Sequence, residues 1–160
     1  MIIGIDPGIT GAIAFIDEYK VIVADIPVMA KGKGKSRIKN QVNAAGLSNL
    51  IESTVYKEGS TKYAIVYLER VSSMPGQGVA SMFSMGDSFG CIRGVCAGMG
   101  LRVEIITPKT WKSYYKLGSN KEVCRAKAIE LFPLIDLHRK KDHNKAEALL
   151  IAEYGKHLEK

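Results

Sequence analysis

Apolar residues in this chain fall into short runs separated by turn-forming residues. Ile2, Ile3 and Ile5 make the first run, which has the pattern of a buried strand. Pro7-Gly8 breaks it, and a second apolar run over residues 12–16 follows at once, so the segment predicts a hairpin. Residues 20–26 add a third short strand, ended by Pro27, and the three together predict an antiparallel meander. The continuous run at 63–68 predicts a strand buried on both faces of a parallel layer, and 101–106 predicts a last strand. Helical spacing appears in Leu47, Leu50, Ile51 and Val55 across residues 43–56. Further helices are expected over 79–99, from Pro108 onward at a position that tolerates proline, over 120–132, and from His143 to about Leu158. Between them, 30–39 is rich in Gly and Lys without a period and predicts a loop. So does the Ser/Met/Pro/Gly stretch 71–78. Three strands, a helix, a strand, a helix, a strand and three helices predict an α/β fold, with one mixed sheet and helices on both faces.

Within the 79–99 helix, Gly86, Gly90 and Gly94 recur every four residues. They leave one side smooth, which suggests close packing against another backbone, that of a dimer partner among the candidates.

Composition narrows the class. At 160 residues the chain is expected to form one domain over 1–160 with a real core. Its 46% hydrophobic and 24% charged content are ordinary for a soluble globular protein. No apolar stretch reaches the roughly 18 residues that would span a bilayer, and no basic segment followed by an apolar one marks a signal peptide. Three cysteines without zinc-like spacing (Cys91, Cys96, Cys124) fit reduced thiols, so the expected location is the cytoplasm. The net charge of +7 is clustered, which points to an anionic partner, nucleic acid first.

Candidate chemistry comes from acids at the ends of elements. Asp6 closes the first strand, and a carboxylate there is costly to bury unless paired or bound to a metal. Glu69 directly follows the 63–68 strand, and Asp142 and Glu147 lie at the start of the last helix. If the first and fourth strands are neighbours, Asp6 and Glu69 emerge at one sheet edge. Oxygen ligands from separate elements are what Mg²⁺ or Mn²⁺ takes. Two such ions about 3.5–4 Å apart can activate a water and stabilise a leaving 3′ oxygen in phosphodiester hydrolysis. Each acid also has a plainer reading. Asp6 is then a turn acid beside Pro-Gly, Glu69 pairs with Arg70 at the surface, Asp142 is a helix N-cap, and Glu147 is a solvated helix position.

Three blocks resemble the RuvC family of Holliday junction resolvases, within the RNase H-like superfamily. They are Ile3-Gly4-Ile5-Asp6-Pro7-Gly8-Ile9-Thr10-Gly11, Tyr67-Leu68-Glu69-Arg70, and the stretch from Asp142-His143-Asn144-Lys145-Ala146-Glu147 to Ala152. Their order and spacing cover nearly the whole chain. Glu147 in the Ala-acid-Ala-Leu core looks more like bacteriophage-encoded members. The resemblance implies an RNase H-like fold, with a five-stranded mixed sheet whose first three strands are antiparallel. It places Asp6, Glu69 and Glu147 as metal ligands. Asn144 stands where cellular members carry an acid or His, so the remaining ligand and fourth catalytic acid is expected to be Asp142, with His143 next in line. It implies Mg²⁺, with Mn²⁺ substituting and two ions per site. It further implies a homodimer, branched DNA as partner, and no nucleotide cofactor. Lys112, in Thr107-Pro108-Lys109-Thr110-Trp111-Lys112, and Lys121 fit the positions of family lysines near the cut strand. Lys109 and Arg70 are further candidates for phosphate contact, and Met74 is a candidate wedge into an opened junction.

The expected activity is metal-dependent resolution of four-way junctions by paired nicks. The alternatives are a broader nuclease that also cuts forks, flaps and Y-junctions, and a DNA-binding protein without catalysis. Gly4-Ile5-Asp6 also looks like the first phosphate loop of actin/Hsp70-type ATPases, but no second phosphate loop follows, and 160 residues are too few for their two lobes.

Overall fold

The computed structural model describes residues 1–32, 38–56, 63–73 and 75–160. Strands β1 (Ile2–Asp6), β2 (Ala12–Ile16) and β3 (Val21–Asp25) form the expected meander. After it come β6 (Ile65–Glu69) and β7 (Arg102–Ile106). The five make one sheet in the order β3-β2-β1-β6-β7. β1 pairs antiparallel with β2 and parallel with β6, and β7 extends the parallel side. Parallel pairing needs crossover connections. These are α1 (Ala44–Val55), entered through an Asn43 cap whose side chain accepts from the Gly46 amide, and α2 (Val79–Gly98). Helices α3 (Pro108–Tyr114), α4 (Lys121–Leu131) and α5 (His143–Leu158) follow β7.

No element is predicted for residues 28–29 or 40–42, and Ala30 falls in the predicted basic 30–39 loop. Instead, Val28–Ala30 (β4) and Asn40–Val42 (β5) pair as a separate antiparallel ribbon. At three residues each, these strands are too short to show an alternating pattern. Residues 33–37 of the predicted loop lie outside the described residues, as does Met74.

Alternation along the strands sorts the core into two layers. Ile3, Ile5, Ile13, Phe15, Val66 and Leu68 pack with α1 and α2 on one face of the sheet. Ile2, Ala12, Ala14, Ile16 and Tyr67 pack with α3, α4 and α5 on the other. At the centre of this second face the sheet carries the small residues Gly4, Ala12 and Ala14. A side chain at Gly4 would meet the Ala148 carbonyl and the Ala152 amide of α5 at 2.3 Å. Helix α5 therefore rests on the backbone of β1.

The glycines of α2 meet no other element of this chain among the described residues. A methyl group added at Gly86, Gly90 or Gly94 would meet nothing within 4 Å. That stripe packs against no backbone among the described residues, and its neighbours Val79 and Phe83 are 79% and 71% exposed.

Candidate active site

Asp6 belongs to the set Ile2, Gly4, Asp6, and Glu69 to the set Ile65, Tyr67, Glu69, so by alternation both face the α5 side of the sheet. The parallel register pairs Ile5 with Leu68, which puts the two acids side by side just beyond that pair. α5 supplies Glu147 to the same edge. The helix is fixed over its length. At its start Asn144 donates to the Thr10 carbonyl, in the turn after Asp6. In its middle it lies on Gly4. Near its end Gly155 packs under the Tyr67 ring, whose hydroxyl donates to Glu159 Oε1 at 2.6 Å.

The charges of the three carboxylates act on one another. Burial, then the negative charges of Glu69 and Glu147, push the Asp6 carboxyl well above its usual range, and the Lys121 and Lys112 ammoniums pull it partly back. Glu69 is also raised, by burial first. The Trp111 hydrogen bond opposes that rise and the Glu147 charge adds to it. Glu147 is 5% exposed, and its Oε1 accepts from Lys112 Nζ at 2.9 Å. Burial disfavours the Lys112 ammonium, but the hydrogen bond and charge of Glu147 outweigh it and hold the lysine above its ordinary value.

α3 brings Lys112 there because it starts directly after β7, at the same sheet edge. Thr107 caps it through the Thr110 amide, with Pro108 in the first turn. The preceding residue, Trp111, is fully buried and donates Nε1–H to Glu69 Oε1 at 2.8 Å. Lys112 Nζ lies 4.9 Å from the centre of the Trp111 ring. Sequence reasoning singled out Lys112 and passed over Trp111. The available signal was a lone tryptophan in the turn that follows a strand ending at the acidic edge.

The other candidates lie further out. Asp142 is 1% exposed, but its carboxylate is held by Arg139. The Arg139 amide and Nε donate to Oδ2 at 3.0 and 3.1 Å, and a guanidinium nitrogen donates to Oδ1 at 2.9 Å. The arginine's hydrogen bond keeps the Asp142 carboxyl below its usual value, and none of the three clustered acids is among the groups that shift it. The structure thus joins Asp142 to Arg139, in the 3-10 turn before α5, rather than to Asp6, Glu69 and Glu147. His143 is half-buried, with Nδ1 2.9 Å from the Lys140 carbonyl. Lys121, at the start of α4, is exposed yet close enough to act on Asp6 and Glu69. Lys109 and Arg70 are exposed and do not figure among the charges acting on the acids.

Three carboxylates from separate elements are hard oxygen donors of the kind Mg²⁺ and Mn²⁺ take, and a divalent ion would offset their repulsion. The donor chemistry fits. As the side chains stand, one oxygen of Glu69 and one of Glu147 are engaged by Trp111 and Lys112, and no ready cluster of three His, Cys, Asp or Glu ligands exists among the described residues.

No protein-family model matches the chain. It is 30% identical over 153 residues to the chloroplastic Holliday junction resolvase MOC1 of Chlamydomonas reinhardtii, covering 86% of this chain and 17% of that protein. In structure it is similar to RuvC of Thermus thermophilus. It matches RuvC in complex with a Holliday junction substrate at a TM-score of 0.57 and 15% identity, over 99% of this chain and 95% of that one. It matches a second structure of Thermus thermophilus RuvC at 0.52 and 17%, over 99% and 96%. The fold is the RNase H-like architecture of RuvC, and the similarities in sequence and in fold both lead to Holliday junction resolvases. Among the described residues no helix is long and apolar enough to cross a membrane.

Proposed function

We propose that this chain is a RuvC-type endonuclease that resolves four-way DNA junctions by paired, metal-dependent nicks. The observation that carries the reading is the convergence of Asp6, Glu69 and Glu147 at one sheet edge, with Lys112 and Lys121 beside them. Asp6, Glu69 and Glu147 would hold the ions, Mg²⁺ with Mn²⁺ as substitute. His143, one turn before Glu147 on the same helix, would supply the fourth donor, and Asp142 acts as an anchor for the start of α5. The chemistry supplied by a bound divalent pair is activation of a water and stabilisation of the leaving 3′ oxygen.

The rest of the reaction belongs to the chain's own groups. Lys112 and Lys121 set the phosphate of the cut strand against the acids, and Lys109, Arg70 and the basic run at 138–141 hold the flanking backbone. Such contacts position DNA without reading its sequence, so affinity falls steeply with salt. Two chains associate through the open stripe of α2 around Phe83, Gly86 and Gly90. A two-fold axis there presents one acidic edge to each of two equivalent strands.

The test is cleavage of a labelled four-way junction against a Y-fork and linear duplex, with Mg²⁺, Mn²⁺ or EDTA, for the native chain and Glu69→Gln. Paired nicks in the junction that need a divalent ion and vanish in the variant are expected. Equal cutting of the fork would move the reading to a broader branched-DNA nuclease. Binding without cutting under any ion would leave a DNA-binding protein.

A further inference from the structure

Glu69 is the last residue of its strand and half-buried. A glutamate in such a place has three side-chain torsions and would sample several positions unless something held it. What holds it is rigid. The Trp111 ring is fully enclosed, and its helix is fixed at the start by the Thr107 cap and at the end by the Tyr115 hydroxyl, which donates to the Leu150 carbonyl of α5 at 3.1 Å. Indole Nε1–H is a donor only, so the contact favours the ionised carboxylate. It engages Oε1 alone.

Resting on the ion-site reading above, we infer that Trp111 is a positioning residue for Glu69, holding one carboxylate oxygen so that the other is presented to an ion. The buried ring and the strand-end acid form a fixed pair from two elements, which is how ligand orientation is set around metal sites. Losing such a partner typically costs about 10- to 100-fold in ion affinity. A buried indole N–H also needs an acceptor for its own sake, so the test must separate positioning from mere satisfaction of the indole.

The chain has one tryptophan, which allows residue-specific replacement by β-(3-benzothienyl)alanine, an analogue of nearly the same shape with sulfur in place of N–H. Mg²⁺ affinity is measured by calorimetry on the full native chain, on the analogue-bearing chain and on Trp111→Phe, with melting in EDTA as the control for folding. The expected result is Mg²⁺ binding about 10- to 100-fold weaker in the analogue, with junction binding in EDTA unchanged. In ¹⁵N-labelled native chain, the single indole N–H resonance should shift on Glu69→Gln and again during the Mg²⁺ titration. Equal Mg²⁺ affinity in native and analogue chains would overturn the inference while leaving the ion site intact. No Mg²⁺ binding by the native chain would overturn the ion-site reading and this inference with it.

Discussion

Helices α5 and α2 lie on opposite faces of the same sheet and use small residues in opposite ways. On α5 the small residues face inward. Ala148 and Ala152 rest on Gly4, and Gly155 lies under Tyr67, each so close that a single methyl group would clash. On α2 the glycines face outward, with nothing within 4 Å and exposed Val79 and Phe83 alongside. The first arrangement sets a distance, because it holds Glu147 at the edge where Asp6 and Glu69 end. The second leaves a smooth apolar surface without a partner in the described chain. Small residues at a four-residue spacing thus carry no single meaning until their surroundings are known.

That contrast can be broken most forcefully at Gly4. Gly4→Ala drives a methyl group into the backbone of α5, which cannot yield as a flexible side chain would. A loss of about 3 kcal/mol is expected, or roughly 6–12 °C in melting temperature, with cleavage lost because Glu147 is displaced. Thermal melting and the junction assay check it. A near-native melting point would mean that α5 does not bear on β1 as described.

On the other face, Phe83→Asp should leave the fold intact and shift the chain from dimer to monomer in analytical ultracentrifugation, with paired nicking reduced to slow single nicks. A dimer that survives the substitution would place the association elsewhere.

The acids provide a third comparison, through pH. Asp6 and Glu69 titrate above their ordinary values in the folded chain. They therefore contribute stability that is complete below the ordinary carboxylate range and is lost as pH rises through their raised folded values. Asp142 runs the other way. Held down by Arg139, it contributes stability above its ordinary value that is lost as pH falls through its depressed one. Ion-free protein should thus melt highest on the acid side of neutrality. Asp6→Asn should raise its melting temperature near pH 8 while abolishing cleavage. Melting in EDTA across pH for the two chains decides this, and an identical decline in both would contradict the raised Asp6.

The smallest effect belongs to Gly90→Ala. On an open helix surface it should stabilise the isolated chain by about 0.5–1 kcal/mol while weakening self-association, read by melting and sedimentation at low and high protein concentration.

Much of this architecture was legible because the longer elements are set off by apolar runs or helical spacing between turn-forming residues. The apolar run at 12–16 and the helix beginning at His143 stand where their patterns place them, and the continuous apolar strand sits inside a parallel layer, between β1 and β7, although its pattern does not name β1 as its neighbour. The short ribbon β4–β5 was not legible, since three residues give no period and its pairing depends on tertiary position. At the site, strand-end acids are visible in a sequence because they interrupt apolar runs. Which acid turns inward is not. Asp142 and Glu147 are both buried, yet Arg139 takes the first and Lys112 the second, and only folded geometry separates those two fates. Trp111 escaped notice for the same reason, because its role lies in one hydrogen bond across 42 positions of sequence.

The central claim is that Asp6, Glu69 and Glu147 form one divalent-ion site. Anomalous diffraction at the manganese edge from crystals of the native chain soaked in Mn²⁺ tests it most directly. An anomalous peak bounded by carboxylate oxygens of all three residues, absent from crystals of Asp6→Asn, is expected. A peak elsewhere, or an acidic edge still closed by Lys112 with no ion at saturating Mn²⁺, would contradict it.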